Sequence, residues 1–431
     1  MRDVFCRFCS TKLEHTLVDL GASPLANSYI SPEDSLKAEP FFELHAYVCS
    51  TCLLVQIPAV EAPENIFNAS YAYYSSMSDS VLAHSRRYVA EMIDRFGLGP
   101  LHQVIEVASN DGYLLQYFRG RGVPVLGIEP SRNVAEAATA AGIPSVVRFF
   151  GQETARDLVR DEMRADLLIG NNVLAHVPDI NDFVGGLKIL LAPGGVITME
   201  FPHLLQLIRR RYYDTIYHEH FSYLSLLAVE RIFAHHGLKL FDVEEIAPQG
   251  GSLRIFACHA ENPHRAVSHR VKDLRDLEIS EGLASVEEYR LFGEEVHRTK
   301  RELLRFLITA RDCGKTVVGY GAPAKGNTLL NFCGIKTDLL PYTVDVSPHK
   351  QGKLLPGTRV PIHSPDKIFE TRPDYVLILP WNITDEVVSK MSGIEAWGGR
   401  FVVPLPDVRV LPTTAEAEGA VTSFAPMRMQ A

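Results

Sequence analysis

Two cysteine pairs at one spacing, Cys6-Arg-Phe-Cys9 and Cys49-Ser-Thr-Cys52, constrain the front of this chain more than any other feature. A Cys-x2-Cys turn aims two thiolates at a single tetrahedral ion. Two such turns complete the shell at about 2.3 Å per Zn–S bond. The 39 residues between Cys9 and Cys49 are more than a compact ribbon needs, and a hairpin or loop is expected to fill them. Four thiolates leave no position for a substrate, so the expected zinc holds a fold and performs no chemistry. Cys258, Cys313 and Cys333 are scattered and read as small core residues or bystanders. Downstream, Tyr71-Ala-Tyr73-Tyr74-Ser-Ser either packs a turn on a core or presents phenols to a ligand.

A length of 431 residues exceeds one ordinary core and predicts two or three domains. Apolar residues at 46% and charged residues at 22% describe a soluble globular protein. A net charge of −9 with no dense Lys/Arg block argues against a nucleic-acid partner. The run Arg209-Arg210-Arg211 reads as a solvated helix end. The first residues, MRDVFCRFCS, show no apolar leader, and no stretch reaches the roughly 20 apolar residues of a membrane span. No membrane association and a cytoplasmic location are the expectations, with reduced thiols free to bind metal.

Beyond about residue 80 short apolar runs alternate with helical stretches, the pattern of a parallel sheet covered on both faces. The runs are Val104–Val107, Val123–Ile128, Asp166–Ile169 and Val196–Met199, with a helix expected from Asn133 to Ala141. The first run leads into Glu106-Val-Ala-Ser-Asn110-Asp-Gly112. Such a turn at the head of a helix offers backbone N–H groups to a ligand. It lacks two glycines of the dinucleotide fingerprint, which argues against a dinucleotide. The second run ends at Glu129, a carboxylate spaced to accept from two ribose hydroxyls. The third runs into Asn171-Asn172-Val-Leu-Ala-His176. Together these resemble a class I S-adenosylmethionine methyltransferase.

Midway lies Tyr217-His218-Glu219-His220-Phe-Ser-Tyr223. A metalloprotease helix needs His-Glu-x-x-His, and the second imidazole is missing at that spacing. His218 and His220 diverge by about 200° on a helix but share a face on an extended segment. Proton transfer fits better: imidazole titrates near neutrality, a carboxylate can orient it, and a tyrosine hydroxyl can donate to a developing oxyanion. Residues 262–312 read as a charged connecting helix. A second strand–loop–helix unit then opens at Thr316-Val-Val-Gly319-Tyr-Gly321-Ala-Pro-Ala-Lys325-Gly326-Asn. Its glycines match neither a dinucleotide fingerprint nor a P-loop. The loop with Lys325 is either a phosphate cradle or purely structural.

The two Cys-x2-Cys pairs, Glu106-Val-Ala-Ser-Asn-Asp-Gly112, Tyr217-x-Glu-His220 and Gly319-Tyr-Gly-Ala-Pro-Ala-Lys-Gly-Asn327 stand in one order along the chain. From Cys6 to about residue 411 this resembles the sugar C-methyltransferases that act on dTDP-4-keto-deoxysugars at C-3′. The resemblance implies an α/β architecture: a zinc-binding N-terminal domain (1–75), a class I methyltransferase domain (76–262), a helical connector (263–312), a Rossmann-like C-terminal domain (313–412) and a disordered tail (413–431). It implies zinc on Cys6, Cys9, Cys49 and Cys52. It also implies S-adenosylmethionine at Glu106, Asn110, Gly112, Glu129 and Asn171, and a nucleotide-sugar contacted by Gly321 and Lys325. His220 would be the base, with Tyr217, Glu219, His176 and Tyr73 in the same pocket; Tyr71 and Tyr74 compete with Tyr73. Other readings are a small-molecule O-methyltransferase, a zinc-bearing RNA or protein methyltransferase, and a non-catalytic nucleotide-sugar binding protein. The sugar, the nucleotide and the oligomeric state are not legible.

Overall fold

The computed structural model describes residues 3–62, 64 and 74–413. Tyr71, Tyr73 and the tail beyond residue 413 lie outside the described residues. The chain divides into two compact units: residues 1–18, 45–207 and 218–291 form the first, and residues 19–44, 208–217 and 292–431 the second.

The front of the chain contributes strands β1 (His15–Ser23), β2 (Phe42–Val48) and β3 (Val55–Gln56). Helix α1 (Asp79–Phe96) follows. The Ser78 hydroxyl accepts from Val81 N–H at its start, and Gly97 at φ 63° closes it in the left-handed region.

The main sheet is then built by alternation: β4 (Val104–Val107), α2 (Leu115–Arg119), β5 (Val125–Ile128), α3 (Arg132–Ala140), β6 (Ser145–Val146), α4 (Gln152–Arg160), β7 (Ala165–Asn171), α5 (Ile180–Leu190) and β8 (Leu191–Pro202). Helix α6 (Leu204–Arg209), strand β9 (Ser222–Tyr223), helix α7 (Leu226–His235), strands β10 (Leu238–Ile246) and β11 (Ser252–His259) and helix α8 (His269–Ser280) follow. Strands β4 and β7 are almost wholly buried because helices cover both faces, which is why they read as unbroken apolar runs.

Seven strands lie in the order β10-β11-β8-β7-β4-β5-β6, and β11 runs antiparallel to both its neighbours. That one reversed strand in an otherwise parallel sheet gives the class I methyltransferase arrangement. The order turns around at β4, so a crevice opens at its carboxyl end between the crossovers to β5 and β7. Strand β9 joins a small sheet of order β1-β2-β3-β9, pairing Val55 with Tyr223 and Gln56 with Ser222. The cysteines of the two knuckles share one apolar core with β4, β7 and β8.

The second unit follows helix α9 (Val286–Asp312) with β12 (Val317–Tyr320), α10 (Ala324–Cys333), β13 (Thr343–Val344), β14 (Ile362–His363), α11 (Asp366–Thr371), β15 (Tyr375–Ile378), α12 (Thr384–Met391), β16 (Arg400–Val403) and β17 (Arg409–Val410). Its sheet runs β14-β13-β12-β15-β16-β17, parallel except at β17, and again reverses direction at its first strand. The second Rossmann-like sheet expected from Thr316 onward is present.

Candidate active site

Three of the structure's polar centres answer to the motifs. At the first, Cys6, Cys9, Cys49 and Cys52 place their sulfur atoms within 4.8 Å of one another, with Cys6–Cys52 at 3.5 Å and Cys9–Cys49 at 3.4 Å. Tetrahedral ligands about 2.3 Å from one ion stand about 3.8 Å apart, so the four thiols fit zinc. Each knuckle closes alike: Ser10 and Leu53 adopt positive φ (60° and 63°) and donate to the carbonyls of Cys6 and Cys49. The Gln56 amide donates to Cys6 Sγ at 3.1 Å, the kind of outer hydrogen bond that steadies a thiolate.

The second centre is the carboxyl end of β4. Ala108, Asn110 and Gly112 all take positive φ, turning the chain sharply into α2. A Cβ on Gly112 (φ 78°) would meet Ile143 Cγ1 at 2.8 Å, so this position admits no side chain. The Glu129 carboxylate ties the loop to β5 by accepting from Asn110 N at 3.0 Å and Ser131 N at 2.8 Å. Asn110 is therefore a loop-builder: its side-chain oxygen is engaged too, by Ser75 N at 2.8 Å. Burial pushes the Glu106 carboxyl well above its ordinary range, against a hydrogen bond from Tyr113.

Around this loop Ser109 Oγ, Asp111 Oδ1, Ser131 Oγ and Asn171 Oδ1 are buried with no partner among the described residues. Unmet polar atoms gathered at a sheet's carboxyl edge are what a polar ligand would satisfy, and they fit the ribose and amino-acid groups of S-adenosylmethionine. Of these, Asp111, Ser131 and Ser109 were not singled out in the sequence. Nor was the buried Glu200, which takes His84 Nε2 at 2.8 Å and Arg254 Nε at 2.7 Å. Burial opposes its charge, but His84 and Arg254 hold the carboxyl below its usual range.

Beside that crevice stand two histidines. His176 ends a one-turn 3-10 helix (Leu174–His176) after β7, and His220 precedes β9. Their rings meet edge to face with centroids 4.7 Å apart, and the Tyr223 ring centroid lies 6.3 Å from that of His220. Phe221 N–H donates to the Ala175 carbonyl at 2.7 Å and clasps the two loops together. Burial lowers the His176 imidazole to about 4, against a hydrogen bond at the Glu219 backbone. That ring is neutral at pH 7. His218 and Glu219 occupy a turn and are buried, while His220 keeps partial exposure. Tyr217, half-buried, belongs to the second unit, and Tyr73 lies outside the described residues.

The third centre is in the second unit. Gly321 (φ 87°) turns the chain after β12, and Lys325 sits in the first turn of α10. The Lys325 ammonium donates to Asn382 Oδ1 at 2.9 Å and lies 4.3 Å from the Trp381 ring centroid. Trp381 Nε1 donates to Asp214 Oδ2 at 2.7 Å, while Asp214 Oδ1 has no partner among the described residues. Asp345, just past β13, repeats the Glu129 pattern: it accepts from Ala322 N at 2.7 Å and Ser347 N at 2.8 Å.

Burial pushes the Asp214 carboxyl up to about 7, against the attraction of Lys325. An unfolded aspartate titrates near 3.9, so the folded chain binds the extra proton between these values. The stabilisation is complete below about pH 4 and is lost as pH rises through 7, a swing of at most about 4 kcal/mol. Asp214→Asn is expected to flatten the fall in stability between pH 5 and pH 8, read as urea midpoints at the two values.

Comparison with known proteins adds an independent line. Residues 247–406 match the family described as "C-methyltransferase C-terminal domain", residues 81–243 a "Methyltransferase domain" and residues 6–67 a "Putative zinc binding domain". The C-methyltransferase NovU of Streptomyces niveus is 37% identical over 409 residues, covering 94% of this chain and 96% of NovU. The chain belongs to the C-methyltransferase family. This C-methyltransferase is thus an S-adenosylmethionine-dependent enzyme, with a zinc-binding module built on Cys6, Cys9, Cys49 and Cys52.

A ubiquinone biosynthesis O-methyltransferase of Rhodopseudomonas palustris (strain BisA53) is 25% identical over 97 residues, 22% of this chain and 38% of that one. Among solved structures, the PH0226 protein of Pyrococcus horikoshii covers 43% of this chain and 94% of its own, at 15% identity and a TM-score of 0.36. A likeness that slight carries no argument. No helix among the described residues is long and apolar enough to cross a membrane.

Proposed function

We propose that this C-methyltransferase methylates carbon C-3′ of a nucleotide-linked 4-keto-deoxyhexose, with His220 as the base. The observation that carries the reading is the His176–His220 pair: two half-buried imidazoles, that of His176 neutral, with ring centroids 4.7 Å apart beside the crevice at the end of β4. A hydrogen alpha to a ketone is acidic because its loss gives an enolate. The enzyme then needs a base that titrates near neutrality and a donor for the enolate oxygen. Both rings are half-buried and open enough to meet a substrate, and the resemblance carried by Tyr217–His220 assigns the base to His220. His176, held neutral, donates an N–H without adding a charge to the pocket, as a neutral histidine can when it polarises a carbonyl. Tyr217 and Tyr73 are proposed as further hydroxyl donors, and Glu219 as a residue of the same pocket.

Bound S-adenosylmethionine supplies an electrophilic methyl group. Glu106, Asn110, Gly112, Glu129 and Asn171 are proposed to hold it, with Asn110 also shaping the loop. The nucleotide-linked 4-ketosugar, and dTDP within it, rest on the resemblance carried by Tyr217–His220 and Gly319–Asn327. For the nucleotide we propose the loop of Gly321 and Lys325, where Asp345 braces the turn as Glu129 does in the first unit. The domain limits at residues 75, 262, 312 and 412 are likewise proposed, as is a cytoplasmic location, where four thiols stay reduced. The test is a panel of nucleotide-4-ketohexoses incubated with methyl-13C S-adenosylmethionine. The new methyl should appear by NMR on a ring carbon next to the ketone; a methyl on oxygen would sink the reading.

A further inference from the structure

Arg7 occupies the first variable position of the knuckle Cys6-Arg-Phe-Cys9, where zinc ligands on either side pin its backbone. Its guanidinium leaves the zinc shell and reaches the loops that carry the two histidines. It donates to the carbonyl of Pro178, two residues beyond His176, at 2.9 Å and to the carbonyl of Ile57. Its charge lies 5.4 Å from the ring centroid of Phe221, the residue after His220.

The same loops are gripped from other directions. Asn181, three residues past Pro178, donates to the Phe8 carbonyl at 2.9 Å. Ile57 N–H donates to the Phe221 carbonyl at 3.1 Å, and Phe221 N–H to Ala175. Gln56 joins the scheme from both ends: it accepts from Arg7 N–H at 2.8 Å, donates to Cys6 Sγ and pairs with Ser222 in the sheet. A planar fork reaching two carbonyls at once, with an aromatic face alongside, suits arginine and is not reproduced by lysine.

We infer that Arg7 is a positioning residue: it transmits the shape of the zinc knuckle to the His176 and His220 loops and sets the distance between the two rings. The inference rests on the reading of His176 and His220 as the reacting pair. Displacing a reacting group by about 1 Å costs on the order of 10²-fold in rate. A structural role alone would lower stability but leave the chemistry of the folded enzyme unchanged.

The experiment compares wild type, Arg7→Ala and Arg7→Lys as zinc-loaded full-length enzymes. Four quantities are read: zinc per chain, S-adenosylmethionine affinity, kcat, and the pH limb of kcat/KM that reports the base. Arg7→Ala is expected to keep its zinc and its cofactor affinity, lose about 10²-fold in kcat and show a displaced pH limb, with Arg7→Lys in between. A folded Arg7→Ala with the wild-type kcat and pH limb overturns the assignment. If Arg7→Ala does not fold, Arg7→Lys decides in the same way: reduced kcat with a moved limb supports the inference, and wild-type values overturn it. His220→Asn serves as the control. If that variant is active, the reading of the histidine pair has failed; if it is inactive while Arg7→Ala is unaffected, only the role of Arg7 has.

Discussion

His220→Asn is expected to abolish methyl transfer while leaving S-adenosylmethionine affinity unchanged. Asparagine keeps a hydrogen-bonding side chain of similar reach but has no basic nitrogen, so the C–H bond loses its proton acceptor. General-base assistance is worth about 10²–10⁴ in rate, and the loss should be of that size. The two effects separate cleanly. The buried polar atoms proposed for the cofactor belong to Ser109, Asp111, Ser131 and Asn171, which stand at the ends of β4, β5 and β7 and not on the segment that carries His220. Calorimetric titration of the cofactor and single-turnover methyl transfer would measure both. Near-wild-type turnover would exclude His220 as the base. His176→Asn should cost less, since it removes a donor to the oxyanion and not the base itself.

The second large effect belongs to the zinc module. Cys49→Ala is expected to lower the metal from one ion per chain to nearly none and to remove the cooperative melting of the N-terminal part. Structural zinc contributes an apparent 10–16 kcal/mol or so in finger peptides at pH 7, as much as the whole net stability of an ordinary domain. Cys49 is fully buried, and three remaining thiols cannot close a tetrahedral shell. Because the cysteines share a core with β4, β7 and β8, the disturbance should also reach the His176 loop and suppress methyl transfer. Cys313→Ser, at an exposed position that is not part of the cluster, should keep both zinc and activity. Zinc analysis by atomic emission, together with thermal melts of the two variants, tests this.

How much of this could be read from residues alone varied with the range of the interactions. The zinc cluster was legible because ligand spacing is local and metal geometry is fixed. The strands of the main sheet were legible as apolar runs bounded by polar turns, and Glu129 as a carboxylate at a set distance past the first turn. Strand β8 was underestimated: it runs from Leu191 to Pro202, through a Pro-Gly-Gly that reads as a turn. Partnerships across long separations left no local trace. Glu200 meets His84 and Arg254 from positions 116 and 54 residues away, and Asp214 meets Trp381 across 167. Arg7 was passed over as a variable residue between two ligands, since nothing in the knuckle announces what lies 171 residues on at Pro178. The bond from Ser75 N–H to Asn110 Oδ1 was equally hidden, because that backbone arrives from another segment.

Everything proposed for catalysis depends on the enzyme breaking a carbon–hydrogen bond beside a ketone. Incubation of the unmethylated nucleotide-4-ketohexose in deuterium oxide, with enzyme and without methyl donor, tests that directly by the loss of the C-3′ proton signal. Exchange by the wild-type protein that vanishes in His220→Asn is the expected result. A competent wild-type enzyme that leaves that proton in place, or a His220→Asn variant that exchanges it equally fast, would contradict the account.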